Sequence, residues 1–279
     1  MKVAFTLIPA ESRRLIAKAV IQIPEMKKAL EVAYVILNGG TTNAMVAQEL
    51  LGDPNILPEG FCVGTSSHRL LCVNEIPKSP PFPIVLQKGK RVNKTVIEAL
   101  SDFNINTVII KGANAVDPEG NVGIVTSGFD SGTVASTFGI VNSQGLKYIV
   151  PVGLEKMVPS AQESAGWAGA KTIDYSIGAD FGIFFIPKER AHVITEIRAL
   201  KILFGLEARK VAGGGIGESA GAVVLIAEGE TGPMKKAIEL IESIKGEPTI
   251  KGSKGNCETC KYKCVFKGKK RDDLPAWLK

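Results

Sequence analysis

Three cysteines within eight residues, Cys257, Cys260 and Cys264, stand in a C-x2-C-x3-C arrangement near the end of the chain. Thiolates at that spacing can converge on one tetrahedral ion or one iron–sulfur cluster. The surrounding segment is too polar for packing to account for the trio, so zinc or an iron–sulfur cluster is the expected occupant. Cys62, Cys72, His68, another subunit or a small molecule could supply a fourth ligand. The plain alternative is a Lys-rich tail with unligated thiols. The start of the chain, MKVAFTLIPAESRR, lacks the apolar core and small-residue cleavage site of a signal peptide. The five cysteines are therefore expected to be reduced, in a cytoplasmic protein, rather than paired in a disulfide framework.

A second chemistry is written in glycine. Gly39-Gly40-Thr41-Thr42-Asn43 sits between an apolar run and a helical pattern. Two glycines let a backbone approach a ligand closely, the start of a helix presents unpaired N–H groups, and the polar side chains add donors. Such a turn can seat a phosphate or carboxylate, although a threonine helix cap would also fit it. A second turn, residues 111–123, follows another apolar run and offers Lys111, Asn114 and Asp117 where a strand's carboxyl end should lie. Asp117-Pro118-Glu119-Gly120 also reads as an ordinary turn. A third polar run enters a helix at Asp130, Ser131, Gly132 and Thr133, and is the expected second anion contact.

Other motifs are excluded. Gly215-Ile216-Gly217-Glu218-Ser219-Ala220 matches the dinucleotide fingerprint in letters, but the run after it reads as strand rather than helix, so no nicotinamide cofactor is expected. There is no P-loop and no Ser-His-Asp or H-E-x-x-H order. His68 and His192 read as ordinary histidines.

The elements that must position these residues alternate. Helical spacing covers 12–22 and 25–31, a buried strand 32–37, and a helix 44–51 ended by Gly52. Strands are expected at 60–63, 70–73, 107–110, 148–152 and 181–186. Helices are expected at 94–103, from 131 and at 160–167, and a Pro-rich loop at 78–83. Beyond these, 191–204 reads as helix, 222–226 as strand and 233–245 as amphipathic helix. Buried strands alternating with helices imply an α/β fold, a Rossmann-like, mainly parallel sheet with helices on both faces. Residues 1–245 form the expected ligand-binding domain, and 246–279 a small basic Cys-rich module.

Charge follows the same division. Residues 245–279 carry 10 Lys/Arg against 4 Asp/Glu, leaving 24 of each sign in 1–244. A neutral body excludes a broad nucleic-acid footprint, so any such contact belongs to the tail. No apolar run is long enough to span a bilayer, so no membrane association is expected.

The strand running into Gly39-Gly40-Thr41-Thr42-Asn43, followed about 70 residues later by Ile110-Lys111-Gly112-Ala113-Asn114-Ala115-Val116-Asp117 and Gly120-Asn121-Val122, resembles a known superfamily. It unites ribose-5-phosphate isomerase, glucosamine-6-phosphate deaminase, CoA transferases, sugar-responsive regulator domains and initiation-factor-2B-like proteins. The resemblance spans roughly residues 30–190 and implies a Rossmann-like sheet with an anionic ligand at 39–43 and a second contact near 126–133; a homo-oligomer is expected as well. The isomerases commonly carry Asp where this chain has Asn114, and an amide cannot take a proton. Isomerase chemistry would then fall to Asp117 or Asp130. The Asn-Lys pair of the initiation-factor-like branch is also missing. CoA transferases use a Glu nucleophile, and Glu218, flanked by Gly217 and Gly221, is the candidate here.

The expectation is thus a protein that binds a phosphorylated sugar or CoA-type metabolite, as an isomerase or transferase, with a metal-binding tail. The rival expectation is a non-catalytic metabolite sensor whose tail contacts RNA or a protein partner.

Overall fold

The computed structural model describes residues 1–75, 81–128 and 131–279. In chain order the first elements are β1 (Lys2–Leu7), α1 (Pro9–Val20), α2 (Pro24–Val32), β2 (Tyr34–Leu37), α3 (Thr41–Leu51), β3 (Gly64–Ser67) and β4 (Leu70–Val73). Next come β5 (Ile84–Gln87), β6 (Lys90–Arg91), α4 (Val96–Ser101), β7 (Val108–Ile110), β8 (Ala115–Val116), β9 (Val122–Thr126), α5 (Gly132–Ser143) and β10 (Tyr148–Pro151). The last are α6 (Ala161–Trp167), β11 (Gly182–Ile186), β12 (Ala191–Ile194), α7 (Glu196–Phe204), β13 (Glu207–Gly214), β14 (Ala222–Glu228) and α8 (Thr231–Ser243).

A six-stranded mixed sheet, ordered β12-β10-β7-β2-β5-β6, forms the centre. β12, β10, β7 and β2 run parallel, while β5 and β6 are antiparallel. All four residues of β2 are buried because the sheet is covered on both sides. Period-two alternation divides them: Val35 and Leu37 join a core with α1, α3, α7, α8 and the β14 side chains, and Tyr34 and Ile36 join a core with α4 and α5. Each fully buried aliphatic side chain contributes roughly 1.5–3 kcal/mol. The expected α/β sheet with helices on both faces is therefore observed in its coarse form.

Several elements differ from the sequence reading. Residues 191–204 hold the edge strand β12 and then α7, because Thr195 caps a new helix after Ala-His-Val-Ile. Residues 181–186 supply β11, but in a separate antiparallel sheet, β11-β9-β8. The strand expected at 60–63 is a 3-10 turn, Pro58–Phe61, and the strand begins at Gly64. β5, in the central sheet, follows the Pro-rich stretch with no sequence signal of its own. Of that stretch, residues 76–80 lie outside the described residues. α3 ends, as expected, at Gly52, whose left-handed φ of 62° suits glycine.

A third sheet, β1-β14-β13, packs against α1 and α7, and residues after α8 return to pair with the β3–β4 hairpin. Among the described residues no helix is long and apolar enough to cross a membrane.

Candidate functional site

The carboxyl ends of the four parallel strands lie side by side, and the chain just past each is polar: Asn38 after β2, Lys111 after β7, the loop 153–156 after β10, and Thr195-Glu196 after β12. In open parallel sheets this edge is where ligands gather.

The 39–43 turn is held tightly. Gly40 adopts φ 149°, and its N–H donates to Phe61 O at 2.6 Å. A Cβ at Gly39 would lie 2.8 Å from the Phe82 ring. Asn43 is spent on architecture, since its Nδ2 donates to Asn38 O at 2.7 Å and Ile110 O at 3.4 Å, tying β2 to β7. The α3 N-terminus itself remains. The first helical bond runs from Ala44 N to Gly40 O at 2.9 Å, so the amides of Thr41, Thr42 and Asn43 have no acceptor within the helix. A Cβ at Gly112 would meet Asn43 Oδ1 at 3.8 Å, which sets this helix start against the residue following Lys111.

Charges from distant segments converge on the same edge. Arg13 of α1 interacts electrostatically with Glu155, Cys62 and Glu196, and Lys156 with Glu155, Arg13, Glu196 and Cys62. Lys111 lies within the field of Lys156. Lys156 Nζ donates to Ala113 O at 3.0 Å. Glu196, 0% exposed, accepts from Leu154 N–H at 2.9 and 3.1 Å. The Glu155 carboxylate folds over Gly153, so that a Cβ there would oblige the end of that side chain to swing aside.

The set is chemically incomplete. Among the described residues, nine buried side-chain N or O atoms lack a hydrogen-bond partner, and six belong to this edge: both Glu155 carboxylate oxygens, Arg13 Nε, Ser12 Oγ, Asn38 Oδ1 and Asn43 Oδ1. Ser12 lies beside the Glu196 carboxyl without making an ordinary hydrogen bond to it. Buried polar groups are normally satisfied, so such a concentration marks a place for a ligand or ordered water. Burial, reinforced by the Glu155 charge, pushes the Glu196 carboxyl up to about 7. Lys111 keeps part of its surface in solvent, yet dense protein around its ammonium and the Lys156 charge pull it down to about 8. Burial also lowers Lys156 and Arg13 and raises the Cys62 thiol, which accepts from Asn74 Nδ2 at 2.9 Å. A carboxyl near 7 beside cations is suited to proton transfer, and perturbed groups gathered in a cleft are a functional signal.

Of the residues singled out from sequence, Gly39–Thr42 and Lys111 stand at this edge. Asp117 serves the turn instead. Its carboxylate accepts from Glu119 N (3.1 Å), Asn121 N (2.9 Å), Asn121 Nδ2 (3.0 Å) and Ala161 N (3.1 Å), which organises the turn and joins it to α6. Asn114 is exposed and accepts from Val125 N at 3.0 Å. Ser131 precedes α5 with φ 53°, makes no capping hydrogen bond through its side chain and accepts from the Thr126 hydroxyl at 3.4 Å, while Thr133 O takes the Thr137 hydroxyl at 2.7 Å. Gly132 opens α5. Asp130 lies outside the described residues. Glu218 is exposed at the tip of the β13–β14 hairpin, where β14 follows as the strand expected after that glycine run.

Arg13, Glu155, Lys156 and Glu196 are not singled out by sequence. Their one signal is position: Glu155, Lys156 and Glu196 lie within five residues of the carboxyl ends of β10 and β12. Glu196 is concealed because β12 and α7 read together as one helix. Arg13 lies in an ordinary amphipathic helix.

No family model, curated protein or solved structure matches this chain.

Proposed function

We propose that the chain binds an anionic small metabolite, a phosphorylated sugar or the phosphate-bearing part of a CoA-type molecule, at the carboxyl edge of its parallel strands. Arg13, Lys111, Lys156 and the α3 N-terminus receive the anion, and Glu196 exchanges a proton with the bound molecule, as an isomerase or transferase requires. One observation carries this reading: three cationic side chains converge at one sheet edge, and among the described residues none of them makes an ion pair. Unpaired, half-buried cations are costly, and an anion relieves that cost.

Titration calorimetry with inorganic phosphate, a pentose 5-phosphate and coenzyme A tests this. At least one should bind the wild-type chain, and Arg13→Ala and Lys111→Met should each weaken it at least about tenfold, a loss of roughly 1.4 kcal/mol, with the urea midpoint preserved. Unaltered affinity in both variants, or no binding by any of the three, defeats the reading. A non-catalytic sensor is the second reading, supported by the engagement of Asn114 and Asp117 in turn hydrogen bonds. Under it Glu196→Gln leaves affinity unchanged and no bound metabolite is turned over.

A further inference from the structure

We infer that Cys72, Cys257, Cys260 and Cys264 form a tetrathiolate site for a single zinc ion, which clamps the C-terminal segment onto the β3–β4 hairpin. This goes beyond the C-x2-C-x3-C motif by supplying its missing ligand, and it stands apart from the anion cleft.

The four cysteines line one cavity of about 20 Å³, together with residues such as Leu70 and Phe266. Cys72 comes from β4 and the other three from the returning tail, so the cavity straddles the junction. The tail is already registered on the hairpin: Gly255 N donates to Val73 O at 3.0 Å, Glu75 N to Ser253 O at 3.2 Å, and Asn74 and Lys254 form a β-bridge. Asp180 N donates to Lys263 O at 2.9 Å and Val265 N to Ser176 O at 3.3 Å, fixing the far side of the cysteine loop. Leu70, Phe266, Leu274 and Leu278 form a small core beside the sulfurs. An apolar cluster of four residues is a slight anchor for more than 30 residues of chain, and small modules commonly rely on a metal.

Local geometry suits thiolates. Cys260 N–H donates back to Cys257 O at 3.3 Å, closing the C-x2-C turn. Phe266 N–H donates to Cys264 Sγ at 3.4 Å, and Lys254 Nζ to Cys257 Sγ at 3.3 Å. Such donors, with Lys261, Lys263 and Lys267 close in sequence, offset the net charge of −2 that four thiolates leave around a divalent zinc. All five cysteines are free, and Cys62 is apart from the group, hydrogen-bonded to Asn74 beside the cleft. Among the described residues no three His, Cys, Asp or Glu side chains are drawn to a common centre, so binding requires the cysteines to change rotamer and release four protons. The cavity as it stands, about 20 Å³, is on the scale of a single ion or water. Tetrahedral sulfur coordination of one redox-inert ion is the preference of zinc.

The test is metal and acid-labile sulfide analysis of the full chain purified without oxygen, beside Cys72→Ser and Cys62→Ser, followed by cobalt substitution of each. About one zinc per chain is expected in the wild type and in Cys62→Ser, with loss in Cys72→Ser. The cobalt form should show the intense visible bands of a tetrahedral tetrathiolate. Should Cys72→Ser fail to fold, Cys72→His keeps a ligand and should move those bands toward a three-sulfur, one-nitrogen spectrum. Stoichiometric iron and sulfide would overturn the zinc assignment. Absence of metal, full retention in Cys72→Ser, or a cobalt spectrum unchanged in Cys72→His would overturn the site.

Discussion

Two acidic loops, each following a short strand, solve the problem of a carboxylate near the protein interior in opposite ways. After β8, Asp117 collects four hydrogen bonds from the turn it organises and from α6. After β10, Glu155 folds over Gly153 with both oxygens buried and collects none. A satisfied carboxylate is a structural member, whereas an orphaned one among cations belongs to a site that a ligand or water completes. Burial opposes ionisation of Asp117, but the hydrogen bonds from Asn121, Ala161 and Glu119 outweigh it and hold its carboxyl below the usual range. That contribution to stability is full above the ordinary value of 3.8 and fades as pH falls below it. The largest effect expected is therefore for Asp117→Ala, a loss of about 2–3 kcal/mol at neutral pH in urea unfolding, because the buried Ala161 N–H and three part-buried donors lose their acceptor. Glu155→Gln, which strands no donor, should cost less than about 1 kcal/mol. Equal losses would erase the contrast.

The next largest effect concerns Glu196, which shares the cleft with Glu155. Its carboxyl binds protons in the folded chain up to about 7, against 4.5 when unfolded, so across that window rising pH destabilises the fold through this group. Above pH 7 the cost levels off, on the order of 3 kcal/mol. Glu196→Gln removes it and supplies an amide donor where the Ser12 hydroxyl and the Glu155 oxygens have none. The variant should gain roughly 2–3 kcal/mol over wild type at pH 8 and nothing near pH 4. A gain independent of pH would mean that packing, not the buried charge, is responsible.

How far these sites are legible in the sequence depends on how local their signals are. The apolar runs of β2, β7 and β10, the glycine that ends α3 and the cysteine trio are contiguous, and each carries its meaning in a few neighbouring letters. The cleft is not contiguous. Arg13, Lys111, Glu155 and Glu196 come from four segments that only sheet order brings together, and an arginine in an amphipathic helix looks like any surface arginine. Asp117 misleads for the complementary reason, since Asp-Pro-Glu-Gly lies at a strand end and is also ordinary turn chemistry. Cys72 can be named only as one of several fourth ligands until the tail is placed on its hairpin. β12 is hidden because four residues of strand run into a capped helix with only Thr195 between them.

The smallest effect sharpens the contrast from the cationic side. Lys111 titrates near 8 in the free protein because burial and Lys156 disfavour its charge. An anion seated against it favours the charged form, so the ammonium in the complex should hold its proton to a higher pH. Below pH 8 the side chain is charged in both states and affinity should not vary with pH on its account. Above pH 8 binding must take up a proton, and affinity should fall by up to about tenfold per pH unit until the complex itself titrates. Sulfate is the probe of choice, since its own charge is constant across this range. Calorimetry in two buffers of different ionisation enthalpy should show net proton uptake at pH 9 that Lys111→Met removes, separate from any uptake near pH 7 that belongs to Glu196, and the same variant should flatten the decline in affinity. If wild-type affinity for sulfate holds steady from pH 7 to 9.5, Lys111 does not meet the anion. The cleft would then bind through Arg13, Lys156 and the α3 amides without Lys111.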